Sequence, residues 1–321
     1  MAYSAGGLIE ATDYNGFVST TSGANVNTVW STGSTDSGWG QSALATVAAA
    51  GTVTATQWAS LVNTIASMGS QTNTTITARS APIAGNTIEI LAALNTDLTN
   101  ITANRLNAVA NGTQYTAWTG TNSKTAATSG ATWSITFVNT VTFASADAAR
   151  YFFNAGGRIK IDVSKTATGA TGDPEWNDLA NTLCGDIFIT GGTATQTIAG
   201  ANYTGTTKTG GTGTPNILLT TTGWYDLTAG AAATVVYKQF ADTAPYTSNF
   251  IQHSIAKGAG SDTLVITTLW SASDGDPISG GTASSGATPG TAPTTIVTYF
   301  PPSTTYLTAS WGTPTVAATT T

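Results

Sequence analysis

Chemistry in a protein starts from its nucleophiles, bases and metal ligands, and this chain has few of them. Its 321 residues hold one His (His253), one Cys (Cys184), and 16 Asp plus Glu against 10 Lys plus Arg. A zinc site takes about four ligands of the Cys, His, Asp or Glu type, so Cys184 and His253 do not make a thiolate and imidazole centre. A single cysteine also rules out a disulfide within the chain. His253 lies in FIQHSI, a short run with the spacing of a strand, and reads as a strand residue with a satisfied ring rather than a base. Two acidic groups invite a catalytic or calcium reading: Asp173, Glu175 and Asp178 in TGDPEWNDL, and Asp274 and Asp276 in SASDGDP. Asp173-Pro174 also opens a short helix, whose first turn favours carboxylates, and Asp-Gly is ordinary turn chemistry. Glycoside hydrolysis needs two opposed carboxylates in a cleft, and neither run specifies one. No catalytic residue, metal ligand or cofactor is assigned, and a non-enzymatic protein is expected.

Binding chemistry is narrowed in the same way. Phosphate-backbone recognition draws on clustered Lys and Arg, whereas the ten basic residues are scattered and the net charge is -6, so no nucleic-acid partner is expected. Trp176, Trp224, Trp270 and Trp311 carry flat rings that can stack on sugars; Trp224 and Trp270 are the candidate glycan contacts, with core packing as the competing reading. The glycine-rich pieces TKTGGTGTP from Thr207 and ISGGTASSGATPGTAP from Ile278 lack a dinucleotide fingerprint and read as loops. The opening MAYSAGGLIEATDYNGF has neither a basic nor an apolar signal segment, and no run approaches the roughly 20 apolar residues that span a bilayer. A soluble chain without membrane insertion is expected.

The elements that must position these residues fall into three regions. Residues 1–52 space Tyr14, Phe17, Trp30 and Trp39 among Gly, Ser, Thr and Asn without periodicity, which predicts an extended N-terminal arm that docks in cis or on a neighbouring copy. Residues 53–125 predict a small helical region. Its clearest helix has Thr54 and Gln57 as a capping box and Trp58, Leu61, Val62, Ile65 and Met68 in one stripe, and a looser helix starts near Thr102. Residues 126–321 predict an antiparallel β domain with Gly/Thr-rich loops. ATWSITFVNTVTF reads as strand, turn or bulge at Asn139-Thr140, then strand. A short helix capped by Ser145 presents Tyr151, Phe152 and Phe153 to the sheet and ends at Gly156 and Gly157, which supply a positive dihedral and close approach before the strand RIKIDV. Further strands are expected at residues 185–190, 216–220, 234–238, 249–256, 263–269 and 294–300. The predicted class is mainly β with a small helical N-terminal part: an antiparallel β-sandwich with a short helix packed on it.

The string ARYFFNAGGRI at residues 149–159, taken with TATQWASLVNTI from Thr54, GWGQS at residues 38–42 and the strand TWSITF, resembles a family of uncharacterised virion structural proteins of tailed bacteriophages. The likeness runs over about residues 36–165; beyond them it is only a general likeness to Thr- and Gly-rich fibres and appendages. It implies a virion component associated with tail, baseplate or fibre, and it carries no catalytic residues. The residues point the same way. Charged side chains make up 8 % of the chain while Thr fills about a fifth of it, against a typical charged share of roughly a quarter. Thr-rich strand edges without charge invite pairing with other chains, so the partners expected are further copies and other virion proteins. Tyr14, Phe17, Trp30, Trp39, Trp58, Tyr151, Phe152, Phe153, Gly156 and Gly157 are the assembly or packing residues. The alternatives are a receptor- or host-glycan-binding module of a tail fibre, a capsid decoration or collar protein, and, more remotely, a glycan-degrading tail enzyme.

Overall fold

Two stretches of the N-terminal region are helical rather than extended: α1 (Ala11–Val18) and α2 (Val26–Trp30). The computed structural model describes residues 10–19, 24–84, 91–112, 115–118, 133–166, 173–272 and 293–320. Asn25 caps α2 by accepting from the Thr28 amide at 3.0 Å. Tyr14 and Phe17 bury one turn apart against Trp58, with ring centroids 6.1 and 6.3 Å away. Trp58 belongs to α3 (Ala55–Thr72), where Thr54 and Gln57 form the reciprocal capping box and the expected stripe of Leu61, Val62, Ile65 and Met68 is buried. Next, α4 (Leu91–Ala103) buries Leu94, Leu98 and Ile101. Thr102 thus lies at the end of a helix, not at the start of the looser helix expected there.

The sheets follow, with helices set among their strands: β1 (Tyr115–Trp118), β2 (Trp133–Thr142), α5 (Ala146–Asn154), β3 (Arg158–Ser164) and α6 (Asp173–Asp178). α6 runs into a π-helical stretch, Leu179–Cys184. The chain continues through β4 (Asp186–Ile189), β5 (Gln196–Ile198), β6 (Ala201–Tyr203), β7 (Thr206–Thr209) and β8 (Ile217–Leu218). After a 3-10 turn at Trp224–Asp226 come β9 (Thr234–Phe240), β10 (Phe250–Lys257), β11 (Thr263–Ala272), β12 (Thr294–Phe300) and β13 (Thr315–Thr320). Most of the expected strands are present. One sheet has the order β1-β12-β3-β4-β7, a second β13-β2-β11-β10-β9-β8, and β5-β6 is a separate pair.

This corrects the expected class. The fold is mixed α/β, with six α-helices among the described residues distributed through the chain and three separate open sheets, in place of a β-sandwich with a small helical N-terminal part. Period-2 patterning tells which segments extend, but not which strands pair or how a sheet ends. The same limit applies at Asn139, where β2 runs unbroken through the expected turn. Asn139 sits between Ile266 of β11 and Ala318 of β13, and two flanking ladders outweigh the local turn preference of Asn-Thr.

One core joins α1 to α5, the π-helical stretch and the inner faces of both large sheets. The turn after α5 aims β3 into it. Ser145 caps α5 by accepting from the Ala148 amide at 3.0 Å. Gly156 takes φ +99°, whereas Gly157 serves by close approach: a Cβ there would stand 2.5 Å from the Phe152 carbonyl oxygen and 2.6 Å from its ring. Gly157→Ala is therefore expected to destabilise by about 2–4 kcal/mol. Gly200→Ala, where φ is +82° but nothing lies within 4 Å, should cost only about 1 kcal/mol. Urea unfolding midpoints of the two variants check the order.

Candidate functional site

The segments that carry the phage resemblance meet around the end of α5. The Asn154 amide donates from Nδ2 to the carbonyls of Gly38 at 3.0 Å and Thr35 at 3.3 Å, and its Oδ1 accepts a short bond from the Tyr225 hydroxyl. The Asn154 carbonyl accepts from Trp39 Nε1 at 3.1 Å, and that N–H also reaches the Arg105 carbonyl at 3.2 Å. Gly40 passes so close to Tyr151 that a Cβ would lie 2.4 Å from the ring. Gln41 then ties this strap to the C-terminal segment: its Oε1 accepts from the Thr308 amide and hydroxyl at 2.8 and 2.7 Å, and its Nε2 donates to the Thr308 carbonyl at 2.9 Å. From α3, Gln71 Nε2 donates to the Ala155 carbonyl at 3.2 Å. Arg150 Nη1 holds the Ser37 carbonyl at 2.7 Å while pairing with Asp147.

Aromatic packing completes this junction. Phe143, Phe152 and Phe153 contact one another, and Phe153 stacks on Trp224 at 5.3 Å and 20°. Trp30 meets Trp39 edge-on at 6.3 Å. The assembly or packing candidates Tyr14, Phe17, Trp39, Trp58, Tyr151, Phe152 and Phe153 are all buried in their own chain, and Trp30 is partly so.

The glycan candidates do not face solvent. Trp224 is 3 % exposed, with Phe153 on it and Lys257 Nζ 4.7 Å from its ring centroid, and Trp270 is 0 % exposed against Trp176. A sugar has no face of either to stack on. Trp270 stands on the buried side of β11, whereas Trp224 opens the 3-10 turn and packs inward on Phe143 and Phe153. Trp311 is buried as well.

The chemistry-bearing residues are also interior. His253 is a strand residue, stacked on Tyr237 at 5.3 Å, with Nδ1 3.0 Å from Thr268 Oγ1. Burial pushes its pKa down to about 3, so the ring is neutral. Burial pushes the Cys184 thiol up to about 12, which makes it a poor nucleophile. Asp173 opens α6 as expected. Glu175 is 7 % exposed, and desolvation, reinforced by Asp242 and Asp178, raises its pKa to about 7. Asp274 and Asp276 lie outside the described residues. Among the described residues no group of three His, Cys, Asp or Glu is placed to hold a metal, and no helix is long and apolar enough to cross a membrane.

Sequence reasoning missed the roles of Asn154, Gln41 and Tyr225, whose only signal was that Asn154 and Gln41 fall inside the resembling strings. It also missed Arg158. This 2 %-exposed guanidinium bonds Asn111 Oδ1 at 2.5 Å, and its carbon lies 4.2 Å from the Tyr203 ring centroid, with the Phe300 and Phe188 rings at 5.3 and 5.6 Å. Alternation in RIKIDV was the available signal, since it puts Arg158, Lys160 and Asp162 on one face. No protein-family model, curated protein or solved structure matches the chain.

Two measurements test this account. Asn154→Ala leaves the Tyr225 hydroxyl and the Gly38 carbonyl without this partner and is expected to cost about 2–4 kcal/mol. Combined with Trp39→Phe in a double-mutant cycle, it should show a coupling of at least about 0.5 kcal/mol. For Glu175, the folded-state pKa of about 7 stands above the ordinary 4.5. Its contribution is therefore full below about pH 4.5 and is lost as pH rises through about 7. Glu175→Gln should match the parent near pH 4.5 and exceed it by about 1–2 kcal/mol at pH 8, screening included. Urea denaturation of both proteins across that range checks the difference.

Proposed function

We propose that this chain is a non-enzymatic structural component of a tailed-bacteriophage virion, associated with tail, baseplate or fibre and assembling with copies of itself and with neighbouring virion proteins. The observation that carries the reading is the junction at Asn154. The strings at 38–42 and 149–159 lie more than a hundred residues apart in sequence, yet they interlock through Asn154, Trp39, Gly40 and Tyr151. The α3 string packs into the same core. Strings that form one packing unit belong together for a physical reason, which supports treating their joint resemblance as a single signal.

The assembly surface under this reading is not the N-terminal arm, because Tyr14, Phe17 and Trp39 are spent in cis. The sheet ends are better suited. β13, which closes the order of the six-stranded sheet, is the uncharged TVAATT with exposed Thr315 and Ala317. A terminal strand without Lys or Glu lacks the usual defence against edge pairing, and symmetric particles repeat such contacts. Mass spectrometry of gradient-purified particles from the phage that encodes the chain is expected to find it at fixed stoichiometry, and gold-labelled antibody should mark the tail, baseplate or fibres. Absence from purified particles overturns the proposal.

A further inference from the structure

A cleft of roughly 650 Å³ opens where the π-helical stretch, the loop before β8 and the segment joining β9 to β10 come together. Its polar lining includes Thr212, Thr214, Asn216 and Asp242, with Leu183 and Phe240 as apolar surface, and no Lys or Arg lines it. The walls are pinned. The Thr212 amide donates to the Thr182 carbonyl at 2.8 Å and the Gly213 amide to the Leu183 carbonyl at 3.1 Å, while Lys208 Nζ caps the Gly213 carbonyl at 2.5 Å. Behind Gly213 lies the buried Gln239 amide, so close that a Cβ at Gly213 would stand 2.8 Å from it. Gln239 is fixed in turn by donating to the Phe240 carbonyl at 2.8 Å. A cleft held in this way needs little reorganisation to accept a ligand.

The lining selects by elimination. Asp242, with Glu175 near enough to repel it, disfavours anions. A lone lining carboxylate falls short of the oxygen-rich, multi-carboxylate set that calcium prefers. The ring of polar groups disfavours a purely apolar ligand. What fits is a neutral molecule with several hydroxyls and a C–H face. Asp242 accepts from one hydroxyl, Thr212 and Thr214 donate or accept, and Leu183 packs on the ring carbons. Asn216 Oδ1 is engaged by the Phe240 amide at 3.3 Å, which leaves its Nδ2 as the donor. The geometry points to this cleft as a binding site for a neutral sugar ring, a site distinct from the buried Trp224 and Trp270. The inference stands whether or not the chain is a virion component.

Amide chemical-shift titration of the full chain tests it. The probes are methyl glucoside, methyl galactoside, methyl mannoside and N-acetylglucosamine, each taken to about 20 mM, the regime of millimolar affinities; calcium chloride forms a separate arm. At least one sugar should shift the 212–216 and 239–243 amides. Asp242→Ala should weaken that sugar about tenfold, and Thr214→Trp, which fills the cleft, should abolish binding. Both replace exposed residues, so both variants should fold, as the remaining amide spectrum will show. The proposal is overturned if no sugar shifts these amides, if both variants bind like the parent, or if calcium alone shifts them.

Discussion

The structure depends on one carboxamide. Asn154 is fully buried, and in that low-dielectric setting each polar group it leaves unpaired costs far more than it would at the surface. Its donor arm holds the 35–38 loop, its acceptor holds Tyr225, and its backbone carbonyl holds the Trp39 indole. Three segments distant in sequence therefore stand or fall together. The same position sets the start of β3, since the glycine pair that follows can reverse the chain only if the end of α5 is fixed. Gln41 carries the constraint onward to Thr308, and Ser310 Oγ donates to the Trp39 carbonyl at 2.5 Å, so side chains from both segments join the N-terminal strap to the approach to the last strand.

A chain with so few charges satisfies its interior by other means. Amides bind backbone carbonyls over long sequence separations, as at Asn27 with Leu44 and Asn15 with Val47. Arg158 shows the principle under strain. Burial lowers its pKa, and aromatic rings surround the guanidinium where a carboxylate would be the usual partner. Cation–π attraction offsets part of the desolvation cost. It also fastens the β5-β6 pair to the sheet, because Tyr203 of β6 and Phe188 of β4 both lie against the cation.

Such economy separates packing from binding. Trp39, Trp58, Trp176, Trp224, Trp270, Trp311, His253 and Cys184 all fill the interior, where they stabilise the packing. Among the described residues, the exposed side chains are largely hydroxyl, amide, small apolar groups and an occasional carboxylate, with Ile83, Val109 and Tyr306 as the large apolar ones. That surface suits contact with neutral polar partners, whether a Thr-rich strand of another copy or a sugar in the cleft beside the π-helical stretch. In the two proposals, assembly uses backbone at the sheet ends and sugar binding uses side chains in the cleft.

Elements governed by neighbours within a few residues were legible in the sequence. The Thr54–Gln57 box and its apolar stripe specified α3, Ser145 and the glycine pair specified α5 and its turn, Asp173-Pro174 opened α6, and alternation marked most of the strands, because capping, dihedral preference and side-chain period act over one or two turns. Sequence also showed that no thiolate or imidazole metal centre is available to one His and one Cys. What only the tertiary structure decided rests on contacts across tens to hundreds of residues. It set the mixed α/β arrangement of three open sheets, the passage of β2 through Asn139, the docking of Tyr14, Phe17 and Trp39 in cis, and the burial of Trp224 and Trp270. A strand's period fixes that it has two faces. Which face meets the core, and which strand lies beside it, follows from hydrogen-bond ladders and packing that no local window contains.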